Sequence, residues 1–265
     1  MEDKESKKAE KTKEDKNDEA AKKAEEKEEL TDEIIKDVIE VADAPEKLIE
    51  PEKAEIEKWT PKSKLGRIVK SGKIKNIDEI LDKNLKILEP EIVSSLLQLK
   101  ADLINIGQSK GKFGGGKRRV WKQTQKKTQE GNIPKFSSMA VVGDENGHVG
   151  IGYGSSKETL PSRVKAERKA KLNIMRIKRG CGSFDCSCNN PHSIISRVDG
   201  KSGSVRIVLY PAPQGTGLVV GDECKKVLKL AGIKDVYSKR FGQSRTTINL
   251  IKACVDALKK TMEIK

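Results

Sequence analysis

The sequence holds only two histidines, and nowhere does its pattern set a nucleophile beside a base and a group to orient that base, the arrangement covalent catalysis needs. An enzyme mechanism has no residues to stand on. The H-x-E and P-C-x-x-C elements of a zinc deaminase are missing too. No stretch reaches the roughly eighteen apolar residues of a membrane helix, and no charged segment followed by an apolar one opens the chain as a signal peptide would. A soluble intracellular protein is the expectation. Cysteines number five, an odd count that in a reducing compartment reads as metal ligands or core thiols rather than as a disulfide framework. Aromatic and branched apolar residues are nearly absent before Ile34. The opening residues therefore cannot offset the entropy of ordering and read as a disordered acidic tail, followed by a short amphipathic pattern at Leu30, Ile34, Ile35, Val38 and Ile39.

Acids are missing where bases are densest. From Lys110 to Thr128 the chain reads KGKFGGGKRRVWKQTQKKT, eight Lys or Arg in nineteen residues with three adjacent glycines and no acid. Glycine lets backbone approach a surface closely, and Lys and Arg meet phosphate oxygens by charge, Arg also in bidentate geometry. The candidate RNA contacts here are Lys110, Lys112, Lys117, Arg118, Arg119, Lys122, Lys126 and Lys127. Residues 1–57 hold 12 basic and 22 acidic residues, a net −10, whereas residues 58–265 hold 42 basic and 18 acidic, a net +24. The second value is the footprint of a protein that neutralises backbone phosphates and releases counterions, although an anionic membrane surface attracts the same charge. Trp121 and Phe113, interleaved with these bases, are placed either to stack on nucleotides or to anchor the loop to its own domain.

Beyond Trp59, apolar positions from Leu65 to Ile87 make a compact segment that packs against a neighbour. Pro90 stands where a first helical residue belongs, with Ile92, Val93, Leu96 and Leu97 at helical spacing, and the run from Leu103 to Ile106 reads as a strand. FSSMAVVGDENGHVGIGY shows two extended runs about a D-E-N-G turn in which Asn146 and Gly147 supply positive φ. A helix is predicted over about 161–177, capped by Thr159 or Ser162, with Val164, Ala166, Ala170, Ile174 and Ile177 on its packed face. Its bases Arg163, Lys165, Arg168, Lys169, Lys171, Arg176, Lys178 and Arg179, against Glu167 alone, make a one-signed field suited to tracking phosphates. Residues 180–203 read as an irregular connector at a domain boundary. SVRIVLY, GDECKKVLKLAG and IKDVYSK then read as strand, helix and strand, and Ile251, Cys254, Val255 and Leu258 mark a final helix.

Two motifs carry possible chemistry. Gly111 to Lys117 fits the first part of a phosphate-binding loop, G-x-x-x-x-G-K, so an RNA-dependent nucleoside triphosphatase is the alternative reading; Arg118, however, stands where Ser or Thr would hold magnesium. Cys181-x4-Cys186-x-Cys188-x3-His192 offers three thiolates and an imidazole in one loop, a Cys3His set suited to one structural zinc ion, the other reading being a loop of reduced thiols with His192 on RNA. A loop with little core gains much from such a clip. Cys224 and Cys254 sit on amphipathic helices and read as core.

The runs VVGDENGHVGIGYG, KETLPSRVKAERKAKLN and LYPAPQGTGLVVGDECKKVLKLAGIKDVYSKRFGQSRTTINLIKA resemble the universal small-subunit ribosomal protein five family, over about residues 58 to 262. GKFGGGKRR, KTQEGN and the Cys/His connector are similar to its archaeal branch, whose eukaryotic counterpart is small-subunit protein two. The resemblance implies an α+β fold: a domain similar to a double-stranded RNA-binding domain, then a carboxy-terminal α/β domain. The expected division is a tail over 1–57, a helical segment and basic extension over 58–124, the RNA-binding-like domain over 125–180, the connector over 181–203 and the α/β domain over 204–265. It also implies a structural, non-enzymatic place in the small subunit and in the cytoplasm, on ribosomal RNA near the messenger entry channel, beside small-subunit proteins three, four and eight, with a part in decoding accuracy.

Overall fold

A computed structural model describes residues 59–109, 111, 118–188 and 190–263. The acidic tail and the pattern from Leu30 to Ile39 lie outside the described residues.

Three short helices come first, α1 (Lys64–Lys70), α2 (Asp78–Asp82) and α3 (Pro90–Leu96). The Ser63 hydroxyl caps α1 by accepting from the Gly66 N–H at 3.0 Å, and Pro90 opens α3 as its spacing predicts. The Glu89 carboxylate accepts from the N–H groups of Lys62 and Ser63 at 2.9 and 2.6 Å, which ties the start of α1 to that of α3. Ile77 and Val93 bury a small apolar cluster with Ile174.

Five antiparallel strands follow: β1 (Lys100–Leu103), β2 (Lys122–Thr128), β3 (Gly131–Gly143), β4 (His148–Ser156) and β5 (Ile174–Arg176). Their order is β1-β3-β4-β5, with β2 on β3. The length of β3 lets it serve two partners on one edge, β2 along residues 131–137 and β1 along 140–143. The strand expected over 103–106 sits three residues earlier, while Ile104 and Ile106 bury just past its end. In the β3–β4 turn the positive φ falls on Glu145 and Gly147 rather than on Asn146. Asp144 sets that geometry, since its carboxylate accepts from the N–H of Asn146 at 2.8 Å and of His148 at 3.0 Å.

Helix α4 (Thr159–Leu172) lies on β4 through small residues, Ser162, Ala166 and Ala170. A Cβ added at Gly150, Gly152 or Gly154 would collide with the carbonyl oxygens of Ala170, Ala166 and Ser162. The alternation in VGIGYG therefore records the approach of helix backbone to strand backbone. Neither expected cap forms: Thr159 is already helical, and the Ser162 hydroxyl is buried 2.7 Å from that of Ser138. The helix also ends five residues early, at Leu172, because Ile174 pairs with Gly150 in β5. Ile174 and Ile177 are buried from beyond the helix, and Val164 is 64% exposed on the outer side.

The second sheet holds β6 (Val198–Ser202), β7 (Val205–Pro211), β8 (Leu218–Val219) and β9 (Val236–Phe241) in the order β6-β7-β9-β8, with only the β8–β9 pair parallel. Strand β6 lies inside the stretch read as irregular; its VDGKS composition resembles a loop, yet Gly200 is where the carbonyl of Ala253 approaches too closely for any side chain. Helices α5 (Asp222–Leu230) and α6 (Thr247–Glu263) form as expected, and Gly232 follows α5 at φ 77°. One core joins the two sheets: Met139, Val141 and Val149, on the face of the first sheet away from α4, pack in the same cluster as Ile207, Leu209, Leu228, Ile251 and Leu258. Cys224 and Cys254 are buried within it, as their helical positions imply.

Candidate nucleic-acid interface and metal centre

Strand β2 and the first half of β3 form a two-stranded ribbon whose side chains are almost all exposed, Lys122, Lys126 and Lys127 among them. Successive side chains of a strand point to opposite faces, so Lys122 and Lys126 charge one face of the ribbon and Lys127 the other. Lys135, opposite Thr124, adds a base that the sequence reading did not single out. Arg119 is exposed on the approach to β2. Arg118 is half-buried and donates from Nη1 to the Arg245 carbonyl at 2.8 Å. Lys110, Lys112, Phe113 and Lys117 lie outside the described residues, and with them most of the phosphate-loop-like run.

The bases of α4 and its continuation divide into two groups. Lys165, Arg168, Lys169 and Lys178 are exposed, and Lys171 is half-buried. Arg163 lies with its guanidinium 5.8 Å from the centre of the Trp121 ring, a cation–π contact that anchors the base of the ribbon to the helix. Arg176 pairs with Asp78 and Asp82, each at 3.4 Å. Arg179 donates to the carbonyls of Asn146 at 2.8 Å, Gly232 at 3.1 Å and Glu145 at 3.2 Å, stitching the β3–β4 turn to the end of α5.

His148 joins the helical segment to the sheet. Its Nδ1 lies 2.6 Å from Asp144 and its Nε2 3.1 Å from Asp78. Burial of the ring works against its charged form, but the hydrogen bonds to Asp144 and Asp78 outweigh it and raise the pKa above the ordinary 6.5. Asp144 moves the opposite way: burial opposes ionisation, and the bonds from His148 and two backbone N–H groups still carry its pKa below 3.8.

Cys181, Cys186, Cys188 and His192 do converge, with their ligand atoms all within 4.8 Å of one another. Sγ of Cys186 stands 2.9 Å from that of Cys188 and 3.7 Å from His192 Nε2, and the thiols of Cys188 and Cys181 are 3.7 Å apart. The hydrogen bond with Cys188 and the Gln214 backbone lower the Cys186 pKa to about 6, while the same thiol pair raises that of Cys188 to about 11. Asp235, which the spacing did not reveal, holds His192 Nδ1 at 2.8 Å. A set of three thiolates and one imidazole suits a tetrahedral, closed site.

The sequence reading also passed over the outer face of the second sheet. There Tyr237, Lys239 and Phe241 alternate along β9 and are exposed. Arg206 and Tyr210 stand opposite Phe241 and Tyr237 in register, and Arg197 lies 5.2 Å over the Tyr210 ring. The only signal in the sequence was the alternation of VYSKRF.

Exposed bases on a β-ribbon and on the outer side of a helix, carried by a mixed α/β scaffold, define the surface of a nucleic-acid-binding protein. Family models agree on which one: residues 106–178 match the ribosomal protein S5 N-terminal domain and residues 200–265 the ribosomal protein S5 C-terminal domain. The small ribosomal subunit protein uS5 of Nanoarchaeum equitans is 50% identical over 211 residues, 79% of this chain and 90% of that protein. Those of Hyperthermus butylicus and Methanocaldococcus jannaschii are 46% and 47% identical, covering 77% and 78% of this chain and 90% and 92% of their own. The chain belongs to the ribosomal protein S5 (uS5) family.

Proposed function

We propose that the chain is a structural, RNA-binding constituent of the small ribosomal subunit, and so resides on cytoplasmic ribosomes without enzymatic activity. The observation that carries this reading is the 46–50% identity to archaeal uS5 proteins over more than three quarters of the chain. Small-subunit rRNA is held by charge and shape through the β2–β3 ribbon and the exposed bases of α4, the first sheet and α4 working in the manner of a double-stranded RNA-binding domain. By kinship with its family the chain lies beside small-subunit proteins three, four and eight, contributes to the messenger entry path and supports decoding accuracy. One structural zinc ion sits at Cys181, Cys186, Cys188 and His192, three thiols and an imidazole whose ligand atoms lie within 4.8 Å of one another.

Crosslinking in living cells tests the reading. Ribosomal RNA fragments are expected at Arg119 and Lys127, and co-sedimentation with small subunits should weaken as salt rises. ATP turnover by the pure chain without association with the particle would instead favour a triphosphatase using Gly111 to Lys117.

A further inference from the structure

We propose that the connector after β5 is a zinc-dependent clasp between the two sheets, in which Asp235 is the positioning residue for the histidine ligand. The inference rests on the zinc reading above and adds what the ion does and which residue outside the ligand set governs it.

Among the described residues, little else holds the loop. Gly180 and Ser193 close it by exchanging N–H···O=C bonds of 2.9 Å in both directions. Between them the described backbone bonds are Cys186 to Ser183 at 3.4 Å and His192 to Asn190 at 2.9 Å, and the one large apolar side chain, Phe184, is fully exposed. Three thiols nevertheless point at one another instead of at solvent or core. Zn–S bonds of about 2.3 Å and Zn–N bonds of about 2.0 Å give tetrahedral edges of roughly 3.5–3.8 Å. The Cys188–Cys181 and Cys186–His192 separations of 3.7 Å fall on those edges, and the Cys186–Cys188 pair, at 2.9 Å, has to open by somewhat less than about 1 Å to take the ion. Soft thiolates select zinc over magnesium or calcium, and four protein ligands leave no open position, which makes the site structural rather than catalytic.

The clasp extends past the ligands through Asp235. His192 and Asp235 are 5% and 6% exposed. One carboxylate oxygen of Asp235 takes His192 Nδ1 at 2.8 Å, and the other accepts the Gly217 N–H at 2.8 Å. A carboxylate on Nδ1 places the ring proton there and leaves the Nε2 lone pair facing the thiols, where an ion can use it. The His192 carbonyl meanwhile accepts from the N–H groups of Lys234 at 2.8 Å and Asp235 at 3.2 Å. One ion thereby joins the segment leaving β5, the turn entering β8 and the approach to β9.

The full-length chain, purified without chelator, is expected to hold one zinc ion, and cobalt substitution should give tetrahedral d–d bands with thiolate charge transfer. Asp235→Asn should lower zinc affinity about 10- to 100-fold in competition with a chromophoric chelator, with the cobalt bands retained. Stripping the metal should speed hydrogen exchange at the amides of Gly217 and Asp235. Absence of zinc from the wild-type chain overturns the metal reading itself. Zinc present, with wild-type affinity in Asp235→Asn, overturns the role of Asp235 alone. Unchanged exchange at Gly217 and Asp235 on chelation overturns the clasp, and this comparison on the wild-type chain decides even where the variant does not fold.

Discussion

Gly152 carries no side chain because α4 leaves no room for one: a Cβ there meets the Ala166 carbonyl oxygen and the backbone of Lys169 and Ala170. The neighbours are backbone, so they yield only if the helix shifts as a body. Gly152→Ala is expected to cost about 1–3 kcal/mol, as overpacked sites do, read from the denaturant midpoint. Arg179 presents the contrasting case of a base spent inside the fold. Its guanidinium serves three carbonyls, so Arg179→Ala leaves those acceptors short of donors and should destabilise the chain by about 1–3 kcal/mol. RNA affinity of the folded variant should keep the wild-type salt dependence, because the guanidinium is turned onto those carbonyls rather than out to a phosphate. Titrations at several salt concentrations check this, and a shallower slope would return Arg179 to the interface.

At the level of elements, α2 is bound to the first sheet by His148, which faces Asp144 and Asp78, and by Arg176, which reaches Asp78 and Asp82. The folded pKa of His148 is raised, so its contribution is fully present below 6.5 and is lost as pH rises through the folded value. The folded pKa of Asp144 is lowered, so its contribution is present above 3.8 and is lost as pH falls through its folded value. Thermal midpoints should therefore decline as pH rises from about 6 past neutrality, and His148→Gln should flatten that decline. The same region shows what a sequence discloses. The β3–β4 hairpin was legible because both runs and the turn agree locally, and α5 and α6 because their apolar residues keep a 3.6-residue period. The end of α4 was not, since Ile174 and Ile177 continue the helical spacing but Ile174 pairs with Gly150 in β5 and Ile177, just past that strand, buries in the core shared by the two sheets. Strand β6 was hidden for the opposite reason: its partner β7 and the helix packed on Gly200 supply what its own composition lacks. The Cys/His cluster was readable because cysteine and histidine are rare here; Asp235, one acid among forty, is marked only by its place in space.

For the whole molecule, one core couples the two sheets, so the cationic ribbon and the outer side of α4 are carried on a single scaffold that can present both to one polyanion. Their charge was legible from composition, but the division between outward bases and those committed to carbonyls, acids or an indole was not, because it depends on neighbours distant in sequence. That division sets the outcome of binding measurements. Each base that meets a phosphate releases counterion, so its loss should weaken binding about equally for every RNA sequence and lower the slope of log K against log salt by roughly one. The double variant Lys122→Ala/Lys126→Ala, on one face of the ribbon, should thus lower the slope by about two, and Lys165→Ala/Arg168→Ala on α4 by a similar amount. Contacts on separate elements, tens of residues apart and without shared partners, should add in the quadruple variant. Fluorescence titrations against a structured RNA, repeated across salt concentrations, check the prediction. A ribbon variant with the wild-type slope would mean that β2 points away from the RNA, leaving α4 and the aromatic-basic face of β9 as the surfaces that carry the charge.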